Sequence, residues 1–324
     1  MKFFKYLLFL LLIAFIGMAI YVAVQPNDFE VSETTTINAP KAVIFEIVSD
    51  STDMDWSSFW KASETLQKSV FKSNDSINQI FTSNRIKNSE LKWVFVSNAD
   101  GSTTVTRTLD ADKLSFMTKA KFALFGDNKD HLSEQFKTDL VSLDKKVAVS
   151  MSAYTIKVEG ITDYGGGFYM YNTISSTSNN MIATMTKQHH ELISFMNVHH
   201  VTANGMPFTI FIEMDAETGN VIMSNAIPIR ERVIVAEDSN ILCGYMERTK
   251  ALKVTLQGNY TNLKEAWATA RKYLKDNNLE ASEMSPFEVY KNDATTIPNP
   301  AHWMTDIYIP IVEKIETVEN TETF

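Results

Sequence analysis

The feature that most constrains this chain is a pattern it carries twice. Gly205-Met-Pro-Phe-Thr-Ile-Phe211 and Met284-Ser-Pro-Phe-Glu-Val-Tyr290 each bring a Pro-Phe turn into a strand. Each is followed, after a hairpin of variable length, by a strand closing on Ile-Pro-Ile, in Asn225-Ala-Ile-Pro-Ile229 and Thr305-Asp-Ile-Tyr-Ile-Pro-Ile311. A strand and a helix lead into each pair. The first helix, from about Asn180 to Met196, places Ile182, Met185, His189, Leu192, Ile193 and Met196 on one face. The second follows the strand Leu252–Gln257, opens at Asn262-Leu-Lys-Glu265 with capping-box spacing, and turns Leu263, Ala266, Trp267, Ala270, Tyr273 and Leu274 inward. Two strand-helix-strand-strand modules in tandem are expected to dock with pseudo-twofold symmetry, because neither alone buries both sides of its apolar elements. Superposing the Pro-Phe pairs sets Glu288 opposite Thr209, a carboxylate where the other copy has a hydroxyl.

The repeat occupies only the second half. With 324 residues, 44% of them hydrophobic, the chain has material for two ordinary domains. A net charge of -9 arises from acids spread along the chain, with no Lys/Arg block to follow a phosphate backbone, so no nucleic-acid partner is expected. Cys243 stands alone and forms no intramolecular disulfide. The pairs His189-His190 and His199-His200 lack the spacing that puts two ligands on one helical face, and neither a metal nor a cofactor is expected.

Tyr6 to Val24 is an unbroken apolar run, which as a helix rising about 1.5 Å per residue spans roughly 28 Å, near the thickness of a bilayer core. With Lys2 and Lys5 before it, residues 1–26 read as a single-pass anchor with a cytoplasmic N-terminus and the remainder extracytoplasmic (periplasmic). A cleavable signal peptide is the competing reading, although the run exceeds the usual apolar core and no Ala-x-Ala site follows it. Past Gln25-Pro-Asn-Asp28, Phe29–Ile37 reads as a strand, and Asn38-Ala-Pro40 caps a helix Lys41–Ser49. Trp56 and Trp60 come next. Leu91–Asn98 and Thr103–Leu109, joined at Ala-Asp-Gly-Ser, form a hairpin, and Phe116–Phe125 reads as a strand or loop. From Lys129 to Leu143 the residues Leu132, Phe136, Leu140 and Leu143 share one helical face.

This order, with Thr36-Ile-Asn-Ala-Pro-Lys-Ala-Val-Ile-Phe-Glu-Ile-Val48, the tryptophans after the first helix, Asp100-Gly-Ser-Thr-Thr-Val-Thr-Arg107 and the closing helix, resembles a START-like domain of polyketide-cyclase type over residues 28–146. The resemblance implies a sheet curled around the long helix, with a cavity for apolar ligands and no shared catalytic motif. Core packing accounts equally well for Trp56, Trp60 and Trp93. Asp144–Ser150 reads as the joint between domains. Residues 150–312 resemble the GyrI-like effector-binding domain, through Gly258-Asn-Tyr-Thr-Asn-Leu-Lys-Glu-Ala-Trp267, Tyr273-Leu274, Ser285-Pro-Phe-Glu-Val-Tyr290 and Asp306-Ile-Tyr-Ile-Pro-Ile311. That resemblance implies a cleft between the two modules that takes small molecules, often lipophilic cations, with the strand glutamate at position 288 as counter-charge. The fold class expected throughout is α+β.

A cleft carboxylate walled by aromatic rings suits an organic cation, since Coulomb and cation–π attraction both strengthen as water is excluded. Glu288 with Tyr290, Trp267, Tyr260 and Trp303 supplies that combination, and Tyr290 shares the sheet face of Glu288 by the two-residue period. A solvated glutamate beside core aromatics fits the same residue types. Asp306 reads as a turn cap and Glu313–Phe324 as a disordered tail. Binding or sensing of a small lipophilic or cationic ligand by a membrane-anchored protein is the function expected. The alternatives are a hydrolase of reactive small molecules, which requires a raised Glu288 pKa and a water within hydrogen-bond reach of it, and a module that recruits another envelope protein.

Overall fold

The computed structural model describes residues 2–50, 67–82, 89–112, 114–125, 128–215, 217–292 and 295–313; Trp56, Trp60 and the tail beyond 313 lie outside them. The chain divides into two compact units, Met1–Val149 and Ser150–Phe324.

The first unit opens with α1 (Lys2–Ala23). Among the described residues, Phe3–Ala23 is the one helix long and apolar enough to cross a membrane, a property that an anchor and a signal sequence share. Strands β1 (Phe29–Ile37), β2 (Gln67–Lys72), β3 (Ser76–Thr82), β4 (Ser89–Ser97) and β5 (Thr103–Ala111) form an antiparallel sheet in the order β1-β5-β4-β3-β2. Between β1 and β2 lies α2 (Lys41–Asp50); α3 (Phe116–Phe125) and α4 (Asn128–Ser152) follow β5. Alternate residues of β4 and β5 are buried, the pattern of a sheet with one packed face. Helix α4 presents Leu132, Phe136, Leu140, Leu143 and Val147 as its buried stripe. It meets β5 at Arg107, whose guanidinium lies 4.2 Å from the Phe136 ring centroid and 4.8 Å from that of Trp93, and pairs with Asp139 at 2.5 Å. Burial lowers the Arg107 pKa to about 10, which the Asp139 carboxylate opposes. Trp93 is thus a core residue, 1% exposed.

Phe116–Phe125 departs from the strand or loop expected there. Its residues, Phe-Met-Thr-Lys-Ala-Lys-Phe-Ala-Leu-Phe, are mostly good helix formers, and the Ser115 hydroxyl accepts from the Thr118 N–H at 3.2 Å in the manner of an N-cap. Asp144–Ser150, read from sequence as the joint between domains, contains the division between the two units, and it is helical, part of α4.

The second unit is one antiparallel sheet of eight strands: β6 (Thr155–Tyr164), β7 (Gly167–Thr177), β8 (Phe208–Met214), β9 (Asn220–Ile229), β10 (Leu242–Met246), β11 (Thr249–Gln257), β12 (Phe287–Tyr290) and β13 (Met304–Pro310). Their order is β10-β7-β9-β8-β12-β13-β11-β6. Helices α5 (Met181–Val198) and α6 (Leu263–Asp276) complete it. The order is symmetric about the β8–β12 boundary, where Thr209 pairs directly with Glu288. Backbone bonds repeat across this axis. Phe211 N–H donates to Pro286 C=O and Tyr290 N–H to Pro207 C=O, both at 3.0 Å, and the bridges Ala203–Ile229 and Ala281–Ile311 correspond. Both helices end the same way, with His200 (φ 56°) and Asn278 (φ 52°) in the left-handed region.

One element of the symmetry lies outside the strand-helix-strand-strand pattern. Strand β6 precedes β7 in the chain but pairs with β11, while β10 precedes β11 but pairs with β7. Each copy's leading strand therefore sits on the outer edge of the other copy. The two links cross at Gly165–Gly166 and Glu247–Arg248, and Gly166 N–H donates to Met246 C=O at 2.7 Å. Gly165 has φ +94°, and a Cβ there would fall 2.3 Å from the Glu247 carbonyl oxygen. Gly160 shares that φ with nothing within 4 Å. Gly160→Ala is expected to cost about 1 kcal/mol from the left-handed backbone alone, and Gly165→Ala at least about 2 kcal/mol more from the clash. Denaturant titration of the two variants measures the gap; equal losses would show that the crossing is not tight.

Both helices lie on the sheet face that carries Glu288. Helix α6 buries Ala266, Trp267, Ala270 and Leu274 against Leu252, Val254, Leu256 and Ile307. Helix α5 buries Gln188, Leu192 and Met196. Ile182 and Ile193, expected on the inner face, are 54% and 46% exposed, because the buried stripe runs one residue away, about 100° around the helix. Two further expectations fail. Asn262 makes no side-chain cap; Asn259 instead caps the short 3-10 turn Tyr260–Asn262, and Glu265 accepts from the Tyr154 hydroxyl at 2.5 Å. Asp306 lies within β13 rather than at a turn, 1% exposed, accepting from Thr255 at 2.7 Å and ion-paired with Lys253 at 3.0 Å.

Candidate functional site

The site grows from the pseudo-twofold axis. Strand β12 is only four residues long and buried along its length, so Glu288 is carried into the interior by the strand at the centre of the sheet. Its side chain is 2% exposed. The indole Nε1–H of Trp267, from α6, donates to Glu288 Oε1 at 2.6 Å, and the Tyr290 hydroxyl, two residues along the same strand, donates to Oε2 at 3.0 Å. Among the described residues no Lys or Arg is ion-paired with this carboxylate. Burial raises its pKa to about 7, against the pull of the two hydrogen bonds. Burial and the neighbouring Glu288 carboxylate push the Tyr290 phenol well above its ordinary range.

From Tyr290 a polar chain crosses the axis. Its hydroxyl lies 3.3 Å from Thr209 Oγ1, which donates to Asn225 Oδ1 at 2.7 Å; Asn225 Nδ2 donates in turn to Gln188 Oε1 on α5. On the other side the rings stack outward. Tyr260 lies edge-on to Tyr290 with centroids 5.8 Å apart, and Trp303 lies 4.8 Å from Tyr260, both half-buried. The Trp303 Nε1–H is engaged by the Ile297 carbonyl at 2.8 Å. Glu288, Tyr290 and Trp267 are therefore in direct contact, while Tyr260 is one ring removed and Trp303 two.

His189 occupies on α5 the place that Trp267 takes on α6. His189 meets Tyr290 edge-on at 6.1 Å and 87°, and Trp267 meets Phe211 edge-on at 5.8 Å and 87°, each helix contacting the other copy's strand. The two side chains differ in what they find. Trp267 reaches Glu288, whereas His189 Nε2 is buried with no hydrogen-bond partner among the described residues. Burial lowers the His189 pKa to about 4, with His190 adding to the shift, so the imidazole is neutral at pH 7.

Thr209 was marked by its alignment with Glu288. Asn225 and Gln188 carry no mark in the sequence reading, and His189 only its place on the inner face of its helix, though one signal existed: aligning the Ile-Pro-Ile ends sets Asn225 opposite Ile307, a second polar-for-apolar mismatch. His189 escapes a constant offset because it precedes Phe208 by 19 residues (208 − 189), whereas Trp267 precedes Phe287 by 20 (287 − 267).

No curated protein matches the chain. Among solved structures, it is similar to the C-terminal domain of EcmrR, 17% identical, covering 50% of this chain and 99% of that one, with a TM-score of 0.41. A START superfamily protein from Mycobacterium smegmatis is 15% identical, with coverage of 37% and 97% and a TM-score of 0.25. SAV2435, solved bound to tetraphenylphosphonium, is 10% identical, with coverage of 49% and 94% and a TM-score of 0.33. Residues 212–312, which hold Glu288, Tyr290, Trp267, Tyr260 and Trp303, match the family model of the GyrI-like small molecule binding domain.

Proposed function

We propose that the second unit is a receptor for a small lipophilic cation, with Glu288 as its anionic anchor. The observation that carries this reading is a buried carboxylate held by two uncharged donors, with no ion-paired Lys or Arg among the described residues. Such a group ionises at a penalty of several kcal/mol in the empty protein, which an organic cation in contact with it would offset. Tyr290, Tyr260 and Trp303 offer the ring faces for cation–π contact. In this reading the binding domain spans 150–312, because the first copy supplies Thr209, Asn225 and Gln188. Residues 28–146 form a START-like domain with an apolar cavity, and residues 1–26 are an uncleaved anchor with both domains extracytoplasmic.

The test uses two ions of one shape and opposite charge. Tetraphenylphosphonium is expected to stabilise the full-length protein in detergent at about pH 8, by about 2.7 kcal/mol at a hundredfold excess over Kd, and tetraphenylborate is not. Glu288→Gln should lose the response to the cation. Equal stabilisation by both ions, or an undiminished response in the variant, sinks the proposal.

A second reading draws on the same carboxylate. A group titrating near 7 suits a general base, and hydrolysis of a reactive small molecule would show turnover that rises with pH through about 7 and vanishes in Glu288→Gln. Saturable binding without turnover of activated esters decides for the receptor.

A further inference from the structure

We propose that Thr209 sets the proton affinity of the Glu288 carboxyl through the Tyr290 hydroxyl, and so decides how readily a cation displaces that proton; as a specificity device it rests on the reading of Glu288 as anchor. Hydrogens are the limiting quantity. The Tyr290 hydroxyl has one, and two acceptors, Glu288 Oε2 at 3.0 Å and Thr209 Oγ1 at 3.3 Å. The Thr209 hydrogen is engaged by Asn225 Oδ1, and Asn225 donates onward to Gln188. All of these side chains are buried, so an unmatched donor or acceptor counts in full.

The two protonation states place these hydrogens differently. When Glu288 is ionised, Tyr290 donates to it, and the contact between Tyr290 and Thr209 becomes two oxygens with no hydrogen between them. Turning the Thr209 hydroxyl towards Tyr290 would strip Asn225 Oδ1 of that donor. When Glu288 is protonated, the carboxyl donates to Tyr290, Tyr290 to Thr209 and Thr209 to Asn225, and every hydrogen has an acceptor. Thr209 therefore favours the neutral carboxyl, in opposition to the Trp267 donor. Among the described residues, the other titratable or charged groups at this point are His189 and Tyr260, each edge-on to Tyr290, and Arg271, whose guanidinium lies 5.6 Å from the Trp267 ring; facing Glu288 from β13 is the apolar Ile307. The empty site is thus set to hold a proton, and a ligand that binds well has to bring positive charge strong enough to replace it.

The assignment is tested on the full-length chain in detergent by infrared pH-difference spectroscopy, with Glu288→Gln spectra subtracted to isolate one carboxyl. Thr209→Val keeps the shape and removes the acceptor, and the midpoint is expected to fall by about one pH unit, roughly tenfold in proton affinity. Thr209→Ser should keep the wild-type midpoint. Tyr290→Phe should raise it, since the carboxylate then loses a donor. Mere loss of polarity around Glu288 raises a carboxyl pKa, so an unchanged or raised midpoint in Thr209→Val overturns the proposal. Thr209→Ala carries the same expectation should the valine variant not fold. Tetraphenylphosphonium affinity at about pH 5 should rise roughly tenfold in Thr209→Val and stay unchanged at about pH 9. If the cation does not bind the wild type, the anchor reading falls, and the midpoints still decide the role of Thr209.

Discussion

Glu288→Gln is expected to make the ligand-free protein more stable at pH 8 and to leave it unchanged near pH 4.5. The folded protein holds the Glu288 proton up to about pH 7, while the ordinary value for the side chain is 4.5. The folded state thus binds the proton more tightly than the unfolded chain does. The resulting stabilisation is fully present below the unfolded pKa and is lost as pH rises through the folded one. Over such a window the loss is on the order of 3 kcal/mol. Glutamine removes the ionisation and, by donating to the Tyr290 oxygen while accepting from Trp267, imitates the protonated side chain.

His189 works in the opposite sense. Its folded pKa, about 4, lies below the ordinary 6.5, so its contribution is present above 6.5 and declines as pH falls towards 4. The two groups oppose each other between roughly pH 4.5 and 6.5, which is why the readout is the difference between wild type and variant, where His189 cancels. Reversible denaturant unfolding at several pH values supplies it. A difference that does not change with pH would mean that Glu288 is not the group that titrates.

Replacing Trp267 should produce the largest loss of stability. Trp267→Ala removes a buried ring that meets Phe211 edge-on and fills the core between α6 and the sheet, at an expected loss of about 3–5 kcal/mol. Trp267→Phe separates packing from hydrogen bonding. It keeps much of the apolar surface and deletes the donor to Glu288 Oε1, a bond to a charged group above pH 7 and to a neutral one below it. Bonds to charged groups contribute about 1.5–3 kcal/mol and neutral ones about 1 kcal/mol, so the penalty for phenylalanine should be larger at pH 8 than at pH 5. Denaturation at both values measures it. An identical penalty would show that the indole N–H does not stabilise the carboxylate.

What was legible follows from how local each determinant is. The paired modules and their axis could be read because the Pro-Phe turns and the Ile-Pro-Ile ends fix register within short stretches, and the α+β class followed from them. The contact of Tyr290 with Glu288 needs only the two-residue period of a strand. Helix α3 was misread because its apolar residues carry no clean period, so only propensity and the Ser115 cap mark it. Ile182 and Ile193 were misplaced because an apolar count cannot tell that the buried stripe of α5 contains Gln188, whose partner Asn225 lies on a distant strand. The edge positions of β6 and β10 left no local mark either, since each pairs with the other copy. The hydroxyl chain depends on cross-strand distances between side chains, and no spacing within one segment encodes those.

The exchange of leading strands has a consequence for the residues on the axis. A closed pair of identical chains, each lending its first strand to its partner, would have the same outline as this unit. Identity would then oblige both sides of the axis to carry the same side chain, and a glutamate would face a glutamate across paired central strands, two buried acids competing for one proton. Joined in one polypeptide, the two halves are released from that obligation. One half keeps the acid and the other answers with a threonine, and a single charge can be governed by a neighbour that differs from it.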